Sequence, residues 1–298
     1  MSRTISGGMV THLSGSVHYR CNMLRLDLVD GSTLAITDHD RDIDYDLGDG
    51  SVTYLADTGI IISNLALSIG FEGVDIEAEG PINDVVTLTH VIGGRYDDAV
   101  ARFFQFNWGT PANGVIKLMK GLVILAEVEG GRFKFTINGE IVKYNQQIGR
   151  VISGFCAWDF GVGICDRVPV TAACTVTSVT DEREFVFSFT GTYANDYFNR
   201  GKVSFLTGSL AGTRAVEIFD FTGGTNSGSV KLWLPLAEPP QVGDTFTISQ
   251  GCYDVATDTS KTREACMAIG GDAVPFGGFP DVPGSDQVLR YPNPGGSA

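Results

Sequence analysis

LVILAEVEGGRFKFTI, residues 122–137, decides the fold class. Leu122, Ile124, Ala126 and Val128 recur at every second position, Gly130-Gly131 interrupts the run, and Phe133, Phe135 and Ile137 alternate again on the return. Side chains of a strand point to opposite faces in turn. A period of two on both sides of a two-glycine turn therefore predicts a half-buried antiparallel hairpin, with Phe133, Phe135 and Ile137 on one face. The signature repeats upstream: Leu24, Leu26 and Leu28 lead through Asp30-Gly31 into Leu34 and Ile36, and Asp49-Gly50 leads into Val52 and Tyr54. Leu65, Leu67 and Ile69 alternate, as do Val74 and Ile76, and Phe104, Phe106 and Trp108 favour a strand over residues 99–108. Residues 87–93 read as a short helix with Thr87 as its cap and Gly93 as its stop. Downstream, strands are expected at 175–179, 185–189, 202–206, 216–221, 230–234 and 246–248, separated by Gly, Asn and Pro turns.

Regular strand spacing in both halves predicts a mainly β protein of two small antiparallel barrel or sandwich domains with short helices. The seam falls near residues 144–154, giving an N-terminal β domain at 1–147 and a C-terminal β module at 148–298 whose Pro/Gly-rich end wanders over a surface. A chain of 298 residues is long enough for two buried cores. Its formal net charge of −14 speaks against direct nucleic-acid recognition, which needs a surplus of Lys and Arg. The apolar runs at 59–62 and 121–126 fall far short of the ~20 residues of a membrane span. MSRTISGGMVTHLSG at the N-terminus has neither the apolar core nor the cleavage site of a signal peptide, so folding in a reducing cytoplasm is expected.

In that compartment the six cysteines are core residues or metal ligands before they are disulfides. Cys156 and Cys165 bracket eight residues in CAWDFGVGIC, and Cys252 and Cys266 bracket thirteen in CYDVATDTSKTREAC. Both stretches are loop-like, and loops can wrap a metal. Cys174 opens a predicted strand and Cys21 lies within one, so both read as small buried hydrophobes. Four thiolates from two dispersed pairs suit tetrahedral zinc or an iron–sulfur cluster. Neither pair has the C-x₂-C knuckle of zinc ribbons, and spacing alone leaves a metal site and four unrelated buried thiols both open. A second group is TDHDRDID, residues 37–44, where His39 sits among Asp38, Asp40 and Asp42. Such a group could bind a metal or move protons, but the run directly follows a strand, where Asp and His ordinarily shape turns, and the structural reading prevails. No Gly-x-Ser-x-Gly elbow and no phosphate-binding glycine loop is present, so an enzyme is not expected.

Three elements resemble the tail-tip hub family of siphophages and gene transfer agents. They are RLDLVDGSTLAITDHDRDI (25–43), GGRYDDAVARFFQFNWGTP (93–111), and a C-terminal module running from Cys156 and Cys165 through DTFTI (244–248), Gly251-Cys252 and Cys266 to FPDVPGSD (279–286). The C-terminal module is also similar to tail-tip protein L of lambdoid phages. The segment after Cys252 is longer than the family's, with Tyr253 and Asp254 following the cysteine. The resemblance implies a ring-forming structural hub, a homotrimer at the virion tail tip, assembled in the host cytoplasm. It would join the distal tail protein ring above to a central tip or fibre protein below, with the tape-measure C-terminus as a further partner. It also implies a [4Fe–4S] cluster held by Cys156, Cys165, Cys252 and Cys266, with zinc as the alternative metal. The rival functions are a tail-associated zinc-binding hydrolase and a receptor-binding tail protein.

Overall fold

A computed structural model describes residues 5–56, 59–62, 75–140, 144, 149–270 and 276–282. The alternations at Leu65, Leu67, Ile69 and Val74, and the end of the chain from residue 283, lie outside these. The chain divides into two compact units, Met1–Gln147 with Gly212–Arg214, and Ile148–Ala211 with Ala215–Ala298.

The first unit opens with helix α1 (Gly7–Leu13), capped by the Ser6 side chain, which accepts a hydrogen bond from the Met9 N–H. Strands β1 (Arg20–Asp27), β2 (Thr33–Thr37), β3 (Ile43–Asp46), β4 (Ser51–Tyr54), β5 (Ile61–Ile62) and β6 (Asp75–Pro81) follow. Then come helix α2 (Leu88–Ile92), capped by Thr87, and strands β7 (Val100–Asn107), β8 (Val115–Glu129) and β9 (Arg132–Gly139). Seven strands pair antiparallel in the order β2-β1-β7-β8-β9-β6-β5, while β3 and β4 form a separate hairpin. Among the described residues this sheet is open, so of the expected barrel or sandwich the first unit is not a closed barrel. Periodicity reports which face a residue takes, and says nothing of whether the first and last strands meet.

The sheet buries a core on each face. Leu24, Leu26, Phe103, Phe133, Phe135 and Ile137 belong to one; Cys21, Met23, Tyr54, Phe104 and Phe106 belong to the other. The β3–β4 hairpin covers the second face, attached by an Ile36–Leu55 bridge and clipped at its turn by Asp49. Arg25 bonds Asp27 and Asp49 at 2.7 and 2.9 Å, and Arg102 bonds Asp49 and Asp27 at 2.7 and 3.2 Å. Phe133 and Phe135 are fully buried on the expected face, but the partner strand departs from simple alternation. Its pairing slips between Val123 and Leu125, so Val123 faces the core before the slip and Ala126 and Val128 face it afterwards. Ile124, expected inward, is exposed. One extra residue in a period-two strand transfers every later side chain to the other face.

In the second unit β10 (Thr171–Val179), β11 (Glu184–Thr192), β12 (Lys202–Phe205), β13 (Val216–Thr222), β14 (Thr225–Leu232) and β15 (Thr245–Ser249) close a barrel in the order β10-β11-β14-β13-β12-β15. Phe185, Phe187, Phe189, Phe198, Phe205, Phe221 and Phe246 fill it with mutually tilted or edge-on rings. Closure leaves no unpaired strand edge in the barrel. Beyond it lie a minimal hairpin, β16 (Tyr253–Asp254) and β17 (Thr259–Ser260), and helix α3 (Arg263–Gly270).

Candidate metal centre

Cys156, Cys165, Cys252 and Cys266 line one small cavity of about 10 Å³, together with Trp158, Phe160, Arg167 and Ile269. Local structure explains how each arrives. Cys252 comes two residues after Gln250, whose N–H donates to Val170 O as the chain leaves β15. The β16–β17 hairpin then returns the chain to Lys261. The Lys261 N–H donates to Cys252 O at 3.2 Å, and Lys261 O accepts from the Cys156 N–H at 2.7 Å, so one residue stitches the backbones of two cysteines. Thr262 begins α3: its hydroxyl accepts the Ala265 N–H and its carbonyl accepts the Cys266 N–H, which sets Ala265 and Cys266 on the buried side. Cys165 closes a turn onto Val162 O at 3.2 Å, built on Gly161 and Gly163 at positive φ.

Arg167 packs over the C-terminus of α3 and donates to Gly270 O at 3.0 Å. A β-carbon at Gly270 would displace the Arg167 guanidinium from this position. Burial pushes the Cys252 thiol up; the Lys261 amide opposes this, and the charges of Cys266, Cys156 and Cys165 push it further in the raising direction. The lining residues include no carboxylate or imidazole, a donor set suited to soft, thiophilic metals. Among the described residues no three or more His, Cys, Asp or Glu side chains form a ready site for a single ion.

Cys21 and Cys174 lie elsewhere. Burial raises their thiols to about 11 and about 12 respectively; each sulfur donates to a backbone carbonyl in a hydrophobic core, and Cys21 also meets the Thr37 side chain. TDHDRDID is absorbed by local bonding. Asp38 accepts the Asn22 backbone and side-chain N–H groups at 2.7 and 2.8 Å, Asp42 accepts the Ala56 N–H at 2.8 Å, and Asp44 accepts the Thr53 hydroxyl at 2.6 Å. His39 Nδ1 accepts the Arg41 N–H at 3.1 Å and its ring lies 5.1 Å from that of Trp108. These bonds hold turns together, and Asp38, His39 and Asp40 also line an open pocket with Trp108, where His39 Nδ1 lies 3.0 Å from an Asp40 oxygen. Sequence reasoning did not single out Trp158, Phe160, Arg167 or Ile269. The aromatic pair between Cys156 and Cys165 was the one available signal.

A family model described as baseplate hub protein, N-terminal attachment domain, matches residues 6–167. A second, described as phage conserved hypothetical protein BR0599, matches residues 196–286. A solved structure described as the virion of a native gene transfer agent (GTA) particle aligns with a TM-score of 0.77 over 98% of each chain at 23% identity, a likeness of fold. No curated protein matches the chain. No helix among the described residues is long and apolar enough to cross a membrane. The first match spans more than half of the sequence and agrees with the resemblance carried by residues 25–43 and 93–111: the chain belongs to the baseplate hub family of phage-type tails, and its place is the virion tail.

Proposed function

We propose that this chain is a non-enzymatic structural hub of a phage or gene-transfer-agent tail tip. On this reading it joins the distal tail ring to a central tip or fibre protein as a homotrimer, and its C-terminal module is locked by a [4Fe–4S] cluster. The observation that carries the metal reading is the cavity lined by Cys156, Cys165, Cys252 and Cys266, drawn from two separate stretches of the chain. Four thiols with no competing oxygen or imidazole donor in the lining suit an iron–sulfur cluster, with zinc as the alternative. When bound, the cluster supplies four iron–thiolate bonds that tie these stretches into one body. The chain's own residues prepare that site. Lys261 fixes the spacing of Cys252 and Cys156, α3 presents Cys266, and Trp158 and Phe160 give the cavity apolar walls. Ligation closes long loops and so contributes folding free energy directly, which suits a part that must stay intact under load.

The test is the absorbance of anaerobically purified protein, with each of the four Cys→Ser variants beside it. Broad iron–sulfide charge-transfer absorbance, lost in every one of the four variants, is expected. A colourless protein carrying one zinc would replace the cluster with a mononuclear centre. Sedimentation of the same protein reads the oligomer, with a trimer expected and a stable monomer contradicting the ring.

A further inference from the structure

We propose that residues 276–282 form a strap covering the metal centre, with Gly277 as its positioning residue: the Gly277 amide donates to the Cys156 sulfur, and its bare α-carbon admits the Trp158 indole. The inference rests on the metal-centre reading above and concerns what shields and orders that centre.

The Gly277 N–H reaches Cys156 Sγ at 3.3 Å across 121 positions of sequence. Amide hydrogen bonds to a ligating sulfur fix its lone-pair direction and tune the metal it holds. No other residue type can make this approach. A β-carbon on Gly277 would sit well inside contact distance of Trp158 Nε1 and Cδ1. Nor is the indole free to retreat, because it lines the cavity on one side and carries the Arg150 guanidinium on its ring at 4.6 Å. Arg150 also lies 5.0 Å from the ring of Phe279, so the strap, the arginine and the indole form one stack. One backbone bond completes the anchorage, the Phe279 N–H donating to Ser153 O at 2.8 Å, while the Val282 N–H closes a turn within the strap onto Phe279 O at 3.2 Å. Gly277 is itself buried, while the flanking residues from Phe279 to Val282 are exposed, as a cover with an inner and an outer side requires.

The experiment uses the full chain, anaerobically loaded with iron and sulfide. Amide hydrogen exchange across 276–282 is measured by mass spectrometry with the centre present and after chelation, and iron loss to a chelator is compared for wild type and Gly277→Ala. Exchange in the strap should be slow when loaded and fast when stripped, and Gly277→Ala should release iron about 10–100-fold more readily, as loss of a supporting partner does at other metal sites. Exchange at the same rate in both states, in wild-type protein that holds iron, would overturn the strap while leaving the centre in place. Wild type that takes up no iron would overturn the centre itself. The exchange measurement needs no variant, so it decides the matter even where Gly277→Ala fails to fold.

Discussion

The barrel and the cysteine-bearing segments around it, 149–170 and 250–282, share one compact unit but are held together by opposite means. The barrel encloses seven phenylalanines with Val203, Leu210, Ile218, Val230 and Ile248, and each of its strands pairs with the next round the circle. The flanking segments have almost no core. Their buried hydrophobic residues, among those described, are Ala265, Cys165 and Cys266. Phe155, Val162, Ile164 and Val168 are exposed, the last at 89%. A segment that buries two thiols and leaves its aliphatic residues in solvent cannot offset the entropy of ordering by apolar burial alone. Small modules of this kind are ordinarily stapled by disulfides or metal. The difference is the physical reason to expect a metal where the sequence offers only dispersed cysteines.

The largest expected effect breaks the two regions apart. Stripping the metal with a chelator should expose residues 149–170 and 250–270 to protease while the barrel stays resistant, because in the proposed arrangement only the flanking segments would depend on ligation. Equal resistance with and without chelator would mean that the segments fold unaided. Next in size, Phe187→Ala in the barrel should cost about 3–5 kcal/mol in denaturant unfolding, as should Phe135→Ala in the first unit, with iron content unchanged in both. Iron lost in step with barrel stability would show the two regions to be one cooperative body. Smaller again, Cys174→Ser places a hydroxyl in the barrel core and should cost about 1–3 kcal/mol without loss of iron, in contrast to Cys266→Ser.

The first unit sharpens the comparison, because it holds its β3–β4 hairpin by charge. The Arg102 hydrogen bond, aided by Arg25, keeps the Asp49 carboxyl below the usual carboxylate range. A depressed carboxyl stabilises the fold above its unfolded pKa, about 3.9, and that contribution is lost as pH falls through the folded value. Melting temperatures between pH 7 and pH 3 should therefore decline less steeply below pH 4 for Asp49→Asn than for wild type. Parallel declines would remove Asp49 from the acid response. Asp49 is exposed, so the effect is the smallest of these.

Much of this was legible in the sequence. The hairpin of residues 122–137, the Asp-Gly turns at 30–31 and 49–50, and the Thr87 cap each depend on a few neighbouring residues. Features that depend on long-range pairing were not. The exposure of Ile124 follows from a slipped register between β8 and β9, which belongs to neither strand alone. Closure of the barrel depends on β10 meeting β15 across some seventy residues, while the first unit, with the same alternation, stays open. The four cysteines stood out by number and loop context, but their convergence depends on Lys261 bonding two backbones at once, and Gly277 reaches Cys156 from the far end of the chain. Contacts of that range leave no periodic trace.

The metal account is tested most directly by the iron, zinc and acid-labile sulfide content of protein purified without oxygen. It predicts iron and sulfide in equal amounts, about four of each per chain as a [4Fe–4S] cluster requires, both falling in Cys156→Ser and unchanged in Cys21→Ser. Zinc without sulfide, or no metal at all, would contradict it.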